Sequence, residues 1–280
     1  MHNELDPFPF SAEDGTTLFA GSWLPDTDIR AHLLLVHGIA EHIERYAHVG
    51  AFFASHGIAV HGLDHRGHGK SEGRRVYVDR FDAYVEDLAR FHNHILTTSP
   101  AAPVFALGHS MGGTILLLYL MQQPELRGAV LSAPGIEAGD DIPPILIKLS
   151  GVLGKLVPKL PTLKLDSSGI SRDPQVVARY DADPLIFRGG IPARTGAELN
   201  RALERIQDGF ASITSPLLIV HGTSDAMVAP NGSRRLHEHA GSLDKTLKLY
   251  DGLFHELMNE PEQNEVLAEM LSWLEARLAA

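Results

Sequence analysis

Gly108-His109-Ser110-Met111-Gly112 carries the clearest chemical instruction in this chain. The apolar run 103–107 reads as a short strand and 114–121 as the apolar half of a helix, so the serine falls on a strand-to-helix turn. Glycines on either side remove the Cβ atoms that so sharp a turn would crowd, and a helix start favours negative charge developing at the hydroxyl. The chemistry this arrangement serves is nucleophilic attack by Ser110. The five-residue pattern alone is weak; its strand–turn–helix setting carries the assignment.

A hydroxyl is a poor nucleophile until something takes its proton, so a histidine and an orienting carboxylate should follow downstream. A second apolar strand at 217–220 runs into His221-Gly222-Thr223-Ser224-Asp225, which sets Asp225 in a loop beyond a strand end. A last strand at 246–250 leads to Asp251-Gly252-Leu253-Phe254-His255, before a helix from about residue 261. Ser110, Asp225 and His255 thus follow one another as nucleophile, acid and base, each past the carboxyl end of a parallel strand, where ligand sites collect. His221 is the closest rival for the base; coming directly off its strand, it reads better as a buried histidine supporting the Asp225 loop. Asp251 is the weaker rival to Asp225. A tetrahedral intermediate also needs two backbone N–H donors. Met111 should give one, and Ile39, in the loop after the strand at 32–36, the other.

These side chains need a scaffold. The chain has 280 residues, 44% of them hydrophobic, enough for a full core of one or two domains. Strand and helix signals alternate: strands at 18–23, 58–62 and 129–131 join those above, with helices at 45–55, 79–97 and 261–278. The expected class is α/β, a mostly parallel eight-stranded sheet with helices on both faces. The alternation stops after residue 135 and resumes at about 212, so residues 1–135 and 212–280 form one core and 136–211 an inserted helical cap.

No apolar run reaches membrane-spanning length, and the first ten residues have neither a basic start nor an apolar core, which predicts a cytoplasmic location. The absence of cysteine excludes disulfides and a thiol nucleophile, and a net charge of −11 disfavours nucleic acid. No cofactor is expected. The histidine-rich stretch Asp64–Ser71 lacks a clean ligand spacing, so no metal is expected either. Residues 142–165 hold Lys148, Lys155, Lys159 and Lys164 and no acid. On a helical projection Ile145, Leu149, Val152, Leu153 and Leu156 share a face flanked by Lys148 and Lys155. Two readings follow: a helix resting on an anionic lipid surface, or a cap helix burying its stripe on the core.

His37-Gly38-Ile39-Ala40-Glu41-His42-Ile43-Glu44-Arg45-Tyr46, Asp64-His65-Arg66-Gly67-His68-Gly69-Lys70-Ser71, Gly108-His109-Ser110-Met111-Gly112-Gly113 and Asp183-Pro184-Leu185 together resemble the monoacylglycerol lipases of the α/β-hydrolase fold, over nearly the whole chain. The resemblance implies a capped serine hydrolase, without cofactor, that cleaves a monoacylglycerol or similar monoacyl lipid ester and often acts at membrane surfaces, where the lysine-flanked cap helix would give peripheral association. It carries the nucleophile to Ser110, the acid to Asp225, the base to His255, the oxyanion donors to Ile39 and Met111, and the glycerol contacts to Glu41, Arg45 and Tyr180. Met258 stands where mammalian members have a second histidine, which leaves head-group preference open. The alternatives are a lysophospholipase or broad carboxylesterase on the same scaffold, and a non-catalytic lipid-binding protein.

Overall fold

The computed structural model describes residues 4–99, 101–139 and 144–278. Eight strands form one sheet in the order β1-β2-β4-β3-β5-β6-β7-β8. They are β1 (Asp6–Ser11), β2 (Thr17–Trp23), β3 (Ala31–Val36), β4 (Ile58–Leu63), β5 (Val104–His109), β6 (Gly128–Ser132), β7 (Leu217–Gly222) and β8 (Lys245–Tyr250). β1 and β2 pair antiparallel, β2 meets β4 antiparallel, and every later pairing is parallel. In β3 to β7 every residue is buried, which is why these strands read as mainly apolar without an alternating pattern: helices cover both faces.

On one face lie α2 (Asp82–Thr98) and α3 (Met111–Leu120); on the other lie α1 (Ala47–Ala54) and α8 (Gln263–Leu278). Two elements escaped the sequence reading: β1 and α7 (Pro230–His239). β1 carries Pro7 and Pro9, which lower its strand signal; it tolerates them because it is the sheet edge. Its alternation is real, with Phe8 and Phe10 turned onto Phe91 of α2.

Between β6 and β7 the described residues add no strand to the sheet. They form α4 (Pro144–Leu156), α5 (Pro174–Ala182) and α6 (Ala193–Gly209). α6 belongs to both layers: Ala202 and Ile206 enter the core beneath α3, while Ala193 and Ala197 meet Gly154 of α4. Ile142 lies outside the described residues. No helix among the described residues is long and apolar enough to cross a membrane.

Candidate active site

Ser110 sits between β5 and α3 with φ 54° and ψ −121°, a left-handed conformation costly for any residue with a Cβ. The surroundings hold it there. Its N–H donates to Ser132 O at 3.1 Å, and its carbonyl accepts from the N–H groups of Gly113, Thr114 and Gly135 at 2.9, 3.2 and 2.9 Å. A Cβ at Gly112 would lie 2.0 Å from Val36 O, so only glycine lets the start of α3 approach β3 this closely. The helix begins at Met111, directly after the serine, rather than at residue 114.

Asp225 accepts four hydrogen bonds. Oδ2 takes His255 Nδ1–H at 2.7 Å and His221 Nε2–H at 3.1 Å, while Oδ1 takes the N–H groups of Met227 and Val228 at 2.9 and 3.0 Å. Burial would raise its pKa, but the charge of His255 and the bonds from His221 and His255 outweigh that and hold it well below the usual carboxylate range. Because Nδ1 of His255 is committed to Asp225, its Nε2 keeps the lone pair. Burial opposes a charge on His255, yet Asp225, with Glu256 and Glu41 behind it, raises the imidazole above its ordinary value. His221 is fully enclosed, its Nδ1 accepting from Ser233 Oγ at 2.7 Å, and it buttresses the Asp225 loop. Asp251 is exposed and accepts from Thr223 Oγ1 at 3.0 Å.

Ser110 and His255 open into one cavity of about 210 Å³, with Ile39 and Met111 in its wall beside the serine. Among the described residues, neither the Ile39 nor the Met111 N–H has a backbone partner. The rest of the wall is mainly apolar, with Leu153, Leu165, Ile191, Leu199, Leu203 and Met227 from the insertion and the Asp225 loop.

Glu41, Arg45 and Tyr180 lie outside that wall and form a cluster of their own. Glu41 is 3% exposed; its Oε1 accepts from Gly38 N–H at 2.6 Å and Tyr46 O–H at 2.7 Å, and its Oε2 from Arg45 Nη1 at 2.5 Å. Burial would raise the Glu41 pKa, but the Arg45 charge holds it below its ordinary value. Gly38 is pinned between Glu41 and Ser110, since a Cβ there would come within 3.2 Å of Ser110 Cβ. Arg45 also reaches Glu256, next to His255, through Nη1 and Nη2 at 2.7 Å each, and its guanidinium lies 4.7 Å from the Tyr180 ring centroid. Two carboxylates therefore surround one guanidinium and join the Gly38 loop to the His255 loop. Nothing local in the sequence marks Glu256 as the second carboxylate, because its partner is 211 positions away.

The insertion grips both loops. Gly169 O and Ile170 O accept from His255 N–H and Glu256 N–H at 3.5 and 2.8 Å, and Arg172 Nε pairs with the buried Glu260 at 3.0 Å. Phe187 N–H donates to Ala40 O at 2.9 Å, and Asp183 accepts from His42 Nε2 at 2.8 Å. The histidines of the Asp64–Ser71 turn are bound to the backbone: His65 Nε2 donates to His37 O at 3.0 Å and His68 Nδ1 to Arg66 O at 3.1 Å.

Residues 27–262 match the family described as Serine aminopeptidase, S33. The chain is 42% identical over 270 residues to a monoacylglycerol lipase of Mycolicibacterium smegmatis, covering 96% of each. The chain belongs to the monoacylglycerol lipase family of α/β-hydrolases. Human monoglyceride lipase is 36% identical over 270 residues, 95% of this chain and 89% of that one. Among solved structures of the family, a soluble variant of monoglyceride lipase from Saccharomyces cerevisiae, in complex with a substrate analog, superposes with a TM-score of 0.89 at 26% identity over 99% of this chain and 96% of that one.

Proposed function

We propose that this protein cleaves the ester of monoacylglycerols to a fatty acid and glycerol through an acyl-enzyme intermediate. The observation that carries this reading is the shared cavity: Ser110 and His255 face a largely apolar space suited to an acyl chain, while the charged cluster beside His255 stays outside it. Ser110 Oγ attacks the ester carbonyl as its proton passes to His255 Nε2. Asp225 fixes the imidazole in that tautomer and stabilises its charge. The carbonyl oxygen, now an oxyanion, takes the Ile39 and Met111 N–H groups. Collapse expels glycerol with the proton from His255, and water then releases the acid by the same path.

Glu41 and Arg45 act in this scheme chiefly by bracing the oxyanion loop, because both Glu41 oxygens and both Arg45 Nη atoms are committed within the protein. Tyr180, whose hydroxyl has no hydrogen-bond partner among the described residues, is left to meet the alcohol. A phosphate-bearing head group would meet two carboxylates against one guanidinium, which favours neutral glycerol over a lysophospholipid. We take residues 136–211 as the cap. Its α4 leaves Ile145, Leu149, Val152 and Leu156 exposed, with Lys155 and Lys159 beside them in water, whereas Leu153 turns into the cavity. The Lys148 side chain lies outside the described residues. An apolar stripe open to solvent and edged by lysines suits peripheral docking on an anionic lipid surface. Turnover of monoacyl-, diacyl- and triacylglycerols and of lysophosphatidate and lysophosphatidylcholine at matched chain length tests the substrate reading. Monoacylglycerol should give the highest kcat/KM; a lysophospholipid in that place would refute it.

A further inference from the structure

Glycine weakens a helix relative to alanine, so a glycine inside one needs a reason. Gly154 in α4 has one: a Cβ there would lie 2.7 Å from Ala197 Cβ and 3.2 Å from Ala193 O, so glycine lets α4 and α6 touch. Gly196, in the second turn of α6, has no such neighbour. A Cβ on it would meet nothing within 4 Å, and its φ is not positive, so neither packing nor backbone conformation asks for glycine. Yet Gly196 forms part of the wall of the cavity that holds Ser110 and His255, between Ala193 and Asn200 on the same side of α6 and close to Leu199 and Leu203. What the missing side chain leaves there is volume.

We propose that Gly196 is a specificity-determining residue: it keeps open the corridor by which a long acyl chain passes across α6, and thereby sets the longest chain accepted. The inference rests on reading the cavity as the acyl site. A methyl group at this position would narrow the corridor, and an isobutyl group would block it, while the reacting atoms at Ser110 and His255 would be untouched. Gly151 of α4 provides the control. It too meets nothing within 4 Å of a Cβ, but it does not line the cavity.

The test compares G196A, G196L and G151A with the unaltered protein on p-nitrophenyl esters from butanoate to hexadecanoate, each variant also followed by thermal unfolding. In G196L the ratio of kcat/KM for hexadecanoate to that for butanoate should fall by about tenfold or more, the size of discrimination a filled apolar pocket can give. G196A should shift the same ratio less while raising Tm, and G151A should raise Tm and leave the ratio alone. An unchanged ratio in both Gly196 variants, or a shift in G151A equal to that in G196A, would overturn the corridor. Failure of the unaltered protein to cleave any acyl ester would overturn the reading of the site itself, and the corridor with it.

Discussion

Replacing Glu41 with Gln separates a brace from a substrate contact. Both the Gly38 N–H and the Tyr46 O–H are received by Oε1, at 2.6 and 2.7 Å, while Oε2 faces Arg45. An amide can satisfy only one side. If its oxygen stays with Gly38 and Tyr46, its NH₂ points at a guanidinium that can only donate; if it flips, the Gly38 N–H loses its acceptor while the Tyr46 hydroxyl can turn to accept from the NH₂. Arg45 keeps Glu256 in either case, so no charge is left unpaired, and the cost is that of a charge-assisted hydrogen bond, about 1.5–3 kcal/mol. For a chain of this size that lowers Tm by roughly 3–12 °C. Removing an oxyanion donor outright costs about 10²–10³ in kcat; loosening Gly38, one residue before Ile39, should cost a part of that, about 10–100-fold. The assay is kcat/KM on a monoacylglycerol and on a p-nitrophenyl ester of the same acid. Both should drop together. A loss confined to the monoacylglycerol would make Glu41 a glycerol contact and refute the brace.

The other expectations concern chemistry, pH and the cap. Ser110→Ala should leave a folded protein whose kcat is lower by about three orders of magnitude or more, and a fluorophosphonate should label the unaltered protein at Ser110 alone; labelling at Ser71 or Ser132 would move the nucleophile. The acid limb of kcat/KM should lie above the ordinary histidine value, since His255 must be neutral to accept a proton and its pKa is raised. Glu256→Gln removes one of the charges that raise it, so the limb should move to lower pH; movement upward would contradict the arrangement. Changing Lys148, Lys155 and Lys159 together to Gln should reduce sedimentation with anionic vesicles and turnover of vesicle-borne monoacylglycerol, while sparing a short soluble ester. Equal losses on both substrates would leave α4 a packing element.

What could be read from the chain was whatever is encoded locally. The turn at Ser110 is announced by its glycines and two apolar flanks, β7 by an apolar run and β8 by the alternation Thr246-Leu247-Lys248-Leu249, each ending a few residues before Asp225 or His255. The expected eight strands are present, though β1 hid behind Pro7 and Pro9, whose missing N–H groups cost little on an edge. The charged cluster was legible only by resemblance, and then as a set of glycerol contacts. Its closure depends on Arg45 meeting Glu256 across the fold, a pairing between loops that neither segment's pattern announces. The apolar stripe of α4 was visible in projection, but periodicity alone could not decide that Leu153 faces inward while Val152 faces water.

The tethers at Gly169, Ile170 and Arg172 make the insertion an interlock rather than a simple cover. Lifting it as one body would strip the His255 and Glu256 N–H groups of their acceptors and pull Arg172 from Glu260, slackening the loop that carries the imidazole. α4 is fastened differently: it rests on α6 through Gly154 and through Asn200, which donates to Ser150 Oγ at 2.8 Å. A displacement of α4 alone would break none of the bonds at Gly169, Ile170 and Arg172, because its own contacts run to α6 and not to the loop of His255.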